Sequence, residues 1–441
     1  MNTEFYPLTP PKTVVAILRQ LEAAGHETWC VGGAVRDALL GHEHLDWDLA
    51  TAATPQQVRR LFRRTIPVGI DFGTVGVLDD AGVMHEVTTF RRDVKTDGRH
   101  AVVEFGASLE EDLARRDLTI NAIAFSPTAG VIRDPFEGRM DLERRVIRAV
   151  GDPDQRMRED RLRALRAIRF AARFGFSIDA ATWDAIVRSA PHLGRLSPER
   201  VQQELNKTMQ QVDKPSIALE MWRRSGALGS LLPALASVSD STLSMLDVLR
   251  RPLRPSQDRR RVHRLAALFS ECEPNDAERA LKLLRFSNSD AEWIAQTLER
   301  WLRIAPELEA ALNGEHPVSD TDIRKWVATV GRLRVPAAWR LSAARAGAQK
   351  LSAMSENWFG AIHSTYRRAL QSAARDAVEL ADLAVDGDDL RSAGIPPGRA
   401  YGVILRRLLD CVIEDPSRNV REWLLQQATQ QYSEIKKRIA D

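Results

Sequence analysis

The run Val31-Gly32-Gly33-Ala34-Val35-Arg36-Asp37-Ala38-Leu39-Leu40-Gly41, followed at once by Asp46-Trp47-Asp48, sets a glycine turn and an arginine a few residues ahead of two carboxylates spaced i, i+2. Glycines let backbone N–H groups approach an anion closely, and the start of the helix after them favours negative charge. Leu45-Asp46-Trp47-Asp48-Leu49 alternates apolar and acidic, which predicts a strand with one wet face. On such a strand both carboxylates point the same way, with Cα atoms about 7 Å apart, a spacing that suits a pair of Mg²⁺ ions. Taken singly, the glycines read as a turn and the acids as a solvated strand face. Joined at this spacing they read as a phosphate cradle beside a metal-binding carboxylate pair, the arrangement that nucleotidyl transfer from a triphosphate requires.

The elements around these residues are predicted from periodicity and punctuation. An amphipathic helix spans 11–25, opened by Pro10-Pro11 and closed by Gly25. Strand patterns at 28–31, 45–50, 73–78, 85–90 and 120–125 alternate with helical ones at 34–40, 55–62 and 109–114, giving an α+β head. After Gly151-Asp152-Pro153 the pattern becomes helical and no further strand is predicted. One long helix spans 157–175 and ends near Gly175, and another spans 198–212, where Ser197 or Pro198-Glu199 suits a helix start. Linkers are expected at 251–257, 313–320 and 384–389. The tryptophans at 222, 293, 301, 326, 339 and 358 read as core residues rather than stacking platforms.

Composition narrows the class. At 441 residues the chain is long enough for two to four domains. A hydrophobic fraction of 44% and a charged fraction of 28% are those of an ordinary globular protein. A net charge of +3 does not announce a nucleic-acid binder, but 156–173, 249–264 and 399–407 are dense in arginine. Such a run serves equally as a solvated helix face. Cys30, Cys272 and Cys411 are scattered, with neither a disulfide framework nor a Cys-x-x-Cys pattern, as expected for a reducing cytoplasm. No signal-peptide core and no apolar run of the ~18 residues of a membrane span is found, so no membrane partner is expected.

The first motif resembles motif A of the bacterial-type (class II) CCA-adding tRNA nucleotidyltransferases and the related bacterial poly(A) polymerases, members of the DNA polymerase beta-like nucleotidyltransferase superfamily. Further motifs of that family follow in order: Glu86-Val87-Thr88-Thr89-Phe90-Arg91, Arg115-Arg116-Asp117-Leu118-Thr119-Ile120-Asn121-Ala122, Glu159-Asp160-Arg161-Leu162-Arg163 and Glu199-Arg200-Val201-Gln202-Gln203-Glu204. The resemblance is dense from about residue 28 to 210 and returns near 390–425. It lacks the His-Asp dipeptide of the phosphohydrolase domain that some relatives carry.

The resemblance implies roles. Asp46 and Asp48 would be metal ligands, with Glu86 a third carboxylate that activates the attacking hydroxyl. Mg²⁺ is the expected cofactor, because hard oxygen ligands and phosphates suit it. Gly32, Gly33 and Arg36 would hold the triphosphate, and Arg116 and Asp117 would contact the ribose and phosphates. Asp160 and Arg163, predicted three apart on one helix, are otherwise a surface ion pair worth tenths of a kcal/mol. In this motif they would read the base. A carboxylate accepts from N4–H₂ of cytosine or N6–H₂ of adenine while a guanidinium donates to the adjacent ring nitrogen; uracil and guanine reverse both contacts. Arg166 and Arg169 continue that face toward the nucleotide. Residues 91–105 match the family's flexible loop, which helps switch selection from CTP to ATP; as residues alone they also suit a simple hairpin. Ile395-Pro396-Pro397-Gly398 resembles a phosphate-contacting turn before a helix, though ordinary capping needs the same residues.

The expected architecture is an α+β polymerase beta-like nucleotidyltransferase head with a mixed sheet over 1–150, followed by an all-α neck (151–215), body (216–340) and tail (341–441). The expected activity is cytoplasmic, template-independent addition of C, C and A from CTP and ATP to the 3′ end of tRNA, the helical parts gripping its acceptor–TΨC half. A poly(A) polymerase, a CC-only or A-only enzyme, and a catalytically decayed RNA-binding relative are the alternatives.

Overall fold

Local signals set most element boundaries in the N-terminal half. Helix α1 (Lys12–Ala23) follows Pro11 and buries the stripe Val14, Ile17, Leu18 and Leu21. Strand β1 (Thr28–Val31) is buried along its length and runs into Gly32, whose φ of 74° starts α2 (Gly33–Leu39). After β2 (Leu49–Thr51), a capping box between Thr54 and Gln57 opens α3 (Pro55–Leu61). Three strands follow, β3 (Thr65–Gly69), β4 (Thr74–Leu78) and β5 (Met84–Thr89), then a separate ribbon of β6 (Arg91–Thr96) and β7 (Ala101–Phe105). A second capping box, Ser108 with Glu111, starts α4 (Leu109–Ala114). The head segment closes with β8 (Ala124–Ser126), β9 (Val131–Arg133), α5 (Gly138–Arg144) and β10 (Val146–Ile147). The chain then continues through α6 (Pro153–Glu159), α7 (Leu162–Phe174), β11 (Ser177–Ile178), α8 (Ala180–Ser189), α9 (Pro198–Gln211) and α10 (Pro215–Ser225).

The main sheet has the order β3-β4-β5-β2-β1-β8-β9, antiparallel except where β2 runs alongside β5. Along β5, His85, Val87 and Thr89 are buried while Met84 is exposed and Glu86 and Thr88 are half-buried. One face of the sheet therefore packs on the core, and Glu86 lies on the open face. This computed structural model describes residues 5–42, 46–96, 101–249, 257–313, 317–349 and 356–440. Two compact units divide the chain, Met1–Ala236 and Ser237–Asp441. Among its described residues, the regular elements of the second are all helices. Its core holds the fully buried Trp301 and Trp339, with the Trp301 indole donating to Ser342 Oγ at 2.8 Å. Trp222, Trp326 and Trp358 are also buried, as expected, and Trp293 packs edge-on against His263.

The α+β class and most elements match the sequence reading, but four details differ. The strand expected over 45–50 begins only at Leu49; residues 43–45 lie outside the described set. The alternation still holds, with Asp46 exposed, Trp47 buried and Asp48 half-buried, and Val31 N–H donates to Asp48 O. The strand expected over 120–125 begins only at Ala124, in β8; before it Thr119–Asn121 forms a 3₁₀ turn, because Asp117 accepts from Leu118 N–H and Asp141 from the Thr119 hydroxyl. The helix expected over 157–175 is broken at Asp160, whose φ of −149° lies outside the helical region. Its carboxylate instead accepts from Leu162 N–H and so helps to start α7. A short parallel pairing of β10 with β11 places a strand beyond residue 151. Of the expected linkers, 250–256 and 314–316 fall outside the described residues, and a helix capped by Asp386 begins at Gly387 within the third.

Candidate active site

The residues singled out in the sequence converge on one cleft of about 540 Å³ in the N-terminal unit. Gly32, Gly33, Arg36, Asp48, Glu86, Arg116, Asp117, Asp160, Arg163, Arg166 and Arg169 all line it. Asp46 does not, but its charge acts on both Asp48 and Glu86. Nine basic side chains face five carboxylates around the described wall, a surplus that suits a polyanion.

At the glycine turn, a Cβ on Gly32 would lie 2.8 Å from Arg116 Nη1, so this position needs glycine both for its positive φ and for that approach. Arg116 is held there by Asp112 at 3.2 Å and by Asn121 O at 3.3 Å. Arg36 behaves differently. It is buried, donates to Asp37 and to the Asn121 side chain, and lies 4.8 Å from the Phe170 ring centroid.

Asp48, on the approach to β2, and Glu86, on β5, are neighbours through the parallel pairing of Leu49 with Val87. Burial, with the charges of Asp46 and Glu86, pushes the Asp48 carboxyl up to about 7. Glu86 is likewise raised, by burial and then by Asp46. Among the described residues no three acidic, imidazole or thiol side chains close into a metal-holding cluster. The three carboxylates form instead an open, mutually repelling set.

Across the cleft, Asp117 is buried and accepts from Leu118 N–H, the Asn121 amide and Arg166 Nε, the last at 2.7 Å. Burial alone would raise its carboxyl, but Arg166 and Asn121 hold it well below the usual carboxylate range. Asp160 and Arg163 do not pair with one another as the sequence implied. Because Asp160 sits in the break before α7, its carboxylate meets Arg200 at 2.7 Å, while Arg163 meets Glu159 at 2.8 Å and donates to Arg115 O at 2.9 Å. Arg169 is buried against Glu204 at 2.7 Å, with its guanidinium 4.4 Å from the Phe170 centroid.

The chemistry of this cleft, a carboxylate group beside a glycine turn and cationic walls, meets a consistent set of likenesses. A family model described as the poly(A) polymerase head domain matches residues 28–148, and one described as a probable RNA and SrmB-binding site of polymerase A matches 175–238. The CCA-adding enzyme of Pediococcus pentosaceus is 33% identical over 407 residues, which cover 92% of this chain and 94% of that protein. The chain belongs to the CCA-adding enzyme family. The CCA-adding enzyme of Geobacillus kaustophilus is 47% identical over 205 residues, 46% of this chain, and the match spans about half (50%) of that relative's length. The crystal structure of the Bacillus stearothermophilus CCA-adding enzyme in complex with CTP superposes with a TM-score of 0.77 at 31% identity, covering 98% of this chain and 100% of that one.

Within this nucleotidyltransferase fold, the sequence reading left three groups of the site without a role. Asn121 joins Arg36 to Asp117, and its place in the Arg115–Ala122 motif was the available signal. Glu204 lies on α9 among the buried Val201, Leu205 and Thr208. A carboxylate on an otherwise apolar stripe calls for a cation, here Arg169. Phe170, stacked by arginines from two helices, gave no sequence signal beyond its apolar type.

Proposed function

We propose that this chain is a Mg²⁺-dependent tRNA nucleotidyltransferase that adds C, C and A from CTP and ATP to the 3′ end of tRNA in the cytoplasm, releasing pyrophosphate at each step. The observation that carries this reading is the convergence of Asp48 and Glu86 with Asp117, Asp160 and Arg163 on a single cleft. Relatives named CCA-adding enzymes, and solved ones described as complexes with CTP, ATP and tRNA, support it. No helix among the described residues is long and apolar enough to cross a membrane.

Asp46 and Asp48 would hold the cations, with Glu86 beside them as the third carboxylate that activates the attacking hydroxyl. The donor set fits Mg²⁺: it is all hard oxygen, and its members repel one another in a way that a divalent cation relieves. When bound, such ions lower the pKa of the primer 3′-hydroxyl and neutralise charge on the α-phosphate and pyrophosphate. The backbone of Gly32 and Gly33 and the side chain of Arg116 would bind the triphosphate. Asp117, kept ionised by Arg166, would accept from the ribose 2′-hydroxyl and so favour ribonucleotides. Arg36 would contribute through Asn121, by fixing Asp117, as well as through its charge. Asp160 would accept from the exocyclic amine and Arg163 donate to the ring nitrogen of C or A. The four-part division into head, neck, body and tail is proposed on the same resemblance, with the helical parts gripping the acceptor–TΨC half by shape and phosphate.

The test is incubation with tRNA lacking its last three nucleotides and each labelled triphosphate, resolved to single nucleotides. Sequential addition of C, C and A is expected. Extension of many RNAs with A alone would show a poly(A) polymerase instead.

A further inference from the structure

Asn121 stands where Asp117 and the glycine turn meet. It closes the 3₁₀ turn Thr119–Asn121, and its backbone carbonyl accepts from Arg116 Nη1 beside Gly32. Its side chain is buried yet borders the cleft. Two charged neighbours fix which way the amide faces. Arg36 carries only donors and directs Nη1 at Asn121 Oδ1, while Asp117, ionised, carries only acceptors and takes Asn121 Nδ2 on its Oδ1 at 2.9 Å. A flipped amide would set donor against donor and acceptor against acceptor, so both partners dictate the same orientation. Arg36 is itself held by Asp37, through Nε at 2.7 Å and Nη2 at 2.6 Å. Asp37, Arg36, Asn121, Asp117 and Arg166 thus form a continuous row of matched donors and acceptors.

Two hydrogen-bonding groups of this row are left over. A carboxylate has about four acceptor sites. Asp117 Oδ1 takes both Leu118 N–H and Asn121 Nδ2, and Oδ2 takes Arg166 Nε at 2.7 Å, so one site on Oδ2 remains. The Asn121 amide has two N–H donors and uses one on Asp117; the other has no partner among the described residues. Asp117 and Asn121 both line the cleft. A free donor and a free acceptor on hydrogen-bonded neighbours suit one ligand group that accepts and donates at once. An alcohol does both through a single oxygen, whereas a carbonyl only accepts and an ammonium only donates. The charge of Asp117 turns a phosphate oxygen away.

We infer that Asn121 helps to determine sugar specificity by direct contact, its second amide N–H donating to the 2′-hydroxyl oxygen of the incoming nucleotide while that hydroxyl donates to Asp117 Oδ2. This rests on the function proposed above and deepens it. The hydroxyl is read as donor and as acceptor, so a 2′-deoxynucleotide, which offers neither, strands two buried groups.

The test measures Kd for CTP, 2′-deoxy-CTP and 3′-deoxy-CTP on the full chain without RNA, for the wild type, Asn121→Ala, Asp117→Ala and the double variant. The wild type should prefer CTP over 2′-deoxy-CTP by about a hundredfold or more, because the missing hydroxyl leaves both groups unpaired. 3′-deoxy-CTP keeps the 2′-hydroxyl and should bind like CTP. Asn121→Ala should cut the preference for CTP over 2′-deoxy-CTP about tenfold, by weakening CTP while leaving 2′-deoxy-CTP within about twofold. Direct contact further predicts that Asn121→Ala still lowers that preference, by about threefold or more, when Asp117 is already alanine. Retained binding of 2′-deoxy-CTP shows that a variant is folded; should Asn121→Ala lose it, Asn121→Ser, a smaller change in polarity with too short a reach, should show the same selective loss. Equal binding of CTP and 2′-deoxy-CTP by the wild type, or an equal loss of both in the folded Asn121 variant, overturns the contact. So does the lack of any further effect in the Asp117→Ala background, which would make Asn121 only a support for Asp117. A penalty that follows the 3′-hydroxyl overturns the assignment to the 2′ position. In all of these cases nucleotide addition to tRNA stands, whereas failure of the wild type to bind any triphosphate or to extend tRNA would sink the functional reading and this inference with it.

Discussion

Asp160 and Arg163 test the base-reading proposal most directly, because neither depends on the other in the folded chain. Asp160 is held by Arg200 and Leu162 N–H, and Arg163 by Glu159 and Arg115 O. Their coupling in stability should therefore be close to zero, under about 0.5 kcal/mol in a double-mutant cycle. Their coupling in catalysis should be large, since each supplies one of two contacts to the same base. Removing either leaves a desolvated group on the nucleotide unpaired, at about 1–3 kcal/mol, or about five- to 150-fold in kcat/KM for CTP and ATP. UTP and GTP never made those contacts, so their rates should fall less and discrimination should narrow. Asp160→Ala also removes a helix-starting acceptor worth about 1 kcal/mol, whereas Asp160→Asn retains an acceptor oxygen there and loses the charge. Comparing the two separates recognition from stability. The assay is kcat/KM for all four triphosphates on tRNA lacking CCA, alongside urea midpoints. If Asp160→Ala and Arg163→Ala both kept wild-type preference for CTP over UTP, the reasoning would be refuted and the two residues would be structural.

Four further outcomes are expected. Asp46→Ala/Asp48→Ala should cost about a thousandfold or more in incorporation with an unchanged helical circular-dichroism signal, and activity within about tenfold of wild type would remove the metal assignment. Glu204→Ala strands the buried Arg169 guanidinium and should destabilise by about 3–5 kcal/mol in chemical denaturation, with Glu204→Gln milder; a loss below about 1 kcal/mol would contradict the buried pairing. Burial, helped by Arg340, pushes His263 down to about 4, so the unfolded chain takes up its proton first. Stability should fall as pH drops from about 6.5 to about 4, by up to about 3 kcal/mol, and a His263→Gln variant should show a flatter pH dependence of its unfolding midpoint over that window. Replacing 94–102, of which 97–100 lie outside the described residues, with a short glycine linker should leave CC addition nearly intact and strongly impair the final A, read as product length with CTP and ATP present. Equal loss of all three additions would give this ribbon a purely structural role.

The sequence alone carried the residue types of the site, the α+β-then-helical order of the chain and the starts of most helices. These are local properties: a glycine that needs positive φ, a Thr54 or Ser108 capping box, a proline at the first turn, and alternation along β5 are written within a few residues. Partner choice was not local. Asp160 and Arg163 look like an i, i+3 pair only while the helix is assumed continuous. The break at Asp160, and the arrival of Arg200 from α9 and Arg115 from the end of α4, reassign both. Likewise the arginines of α7 read as a solvated run until Asp117, Glu204 and Asp37 are brought in from 49, 35 and 136 residues away. The exposed apolar side chains on the face of Glu86 are still less visible in sequence, because Ile66, Val68 and Met84 resemble core residues by type. Only the strand order β3-β4-β5-β2 and the register that sets Gly76 against Glu86 and Ile66 against Gly76 leave them in solvent on the face of the carboxylate. Chain chemistry chooses which groups are present, and long-range pairing, whose energy depends on burial and charge brought together in space, decides which of them meet.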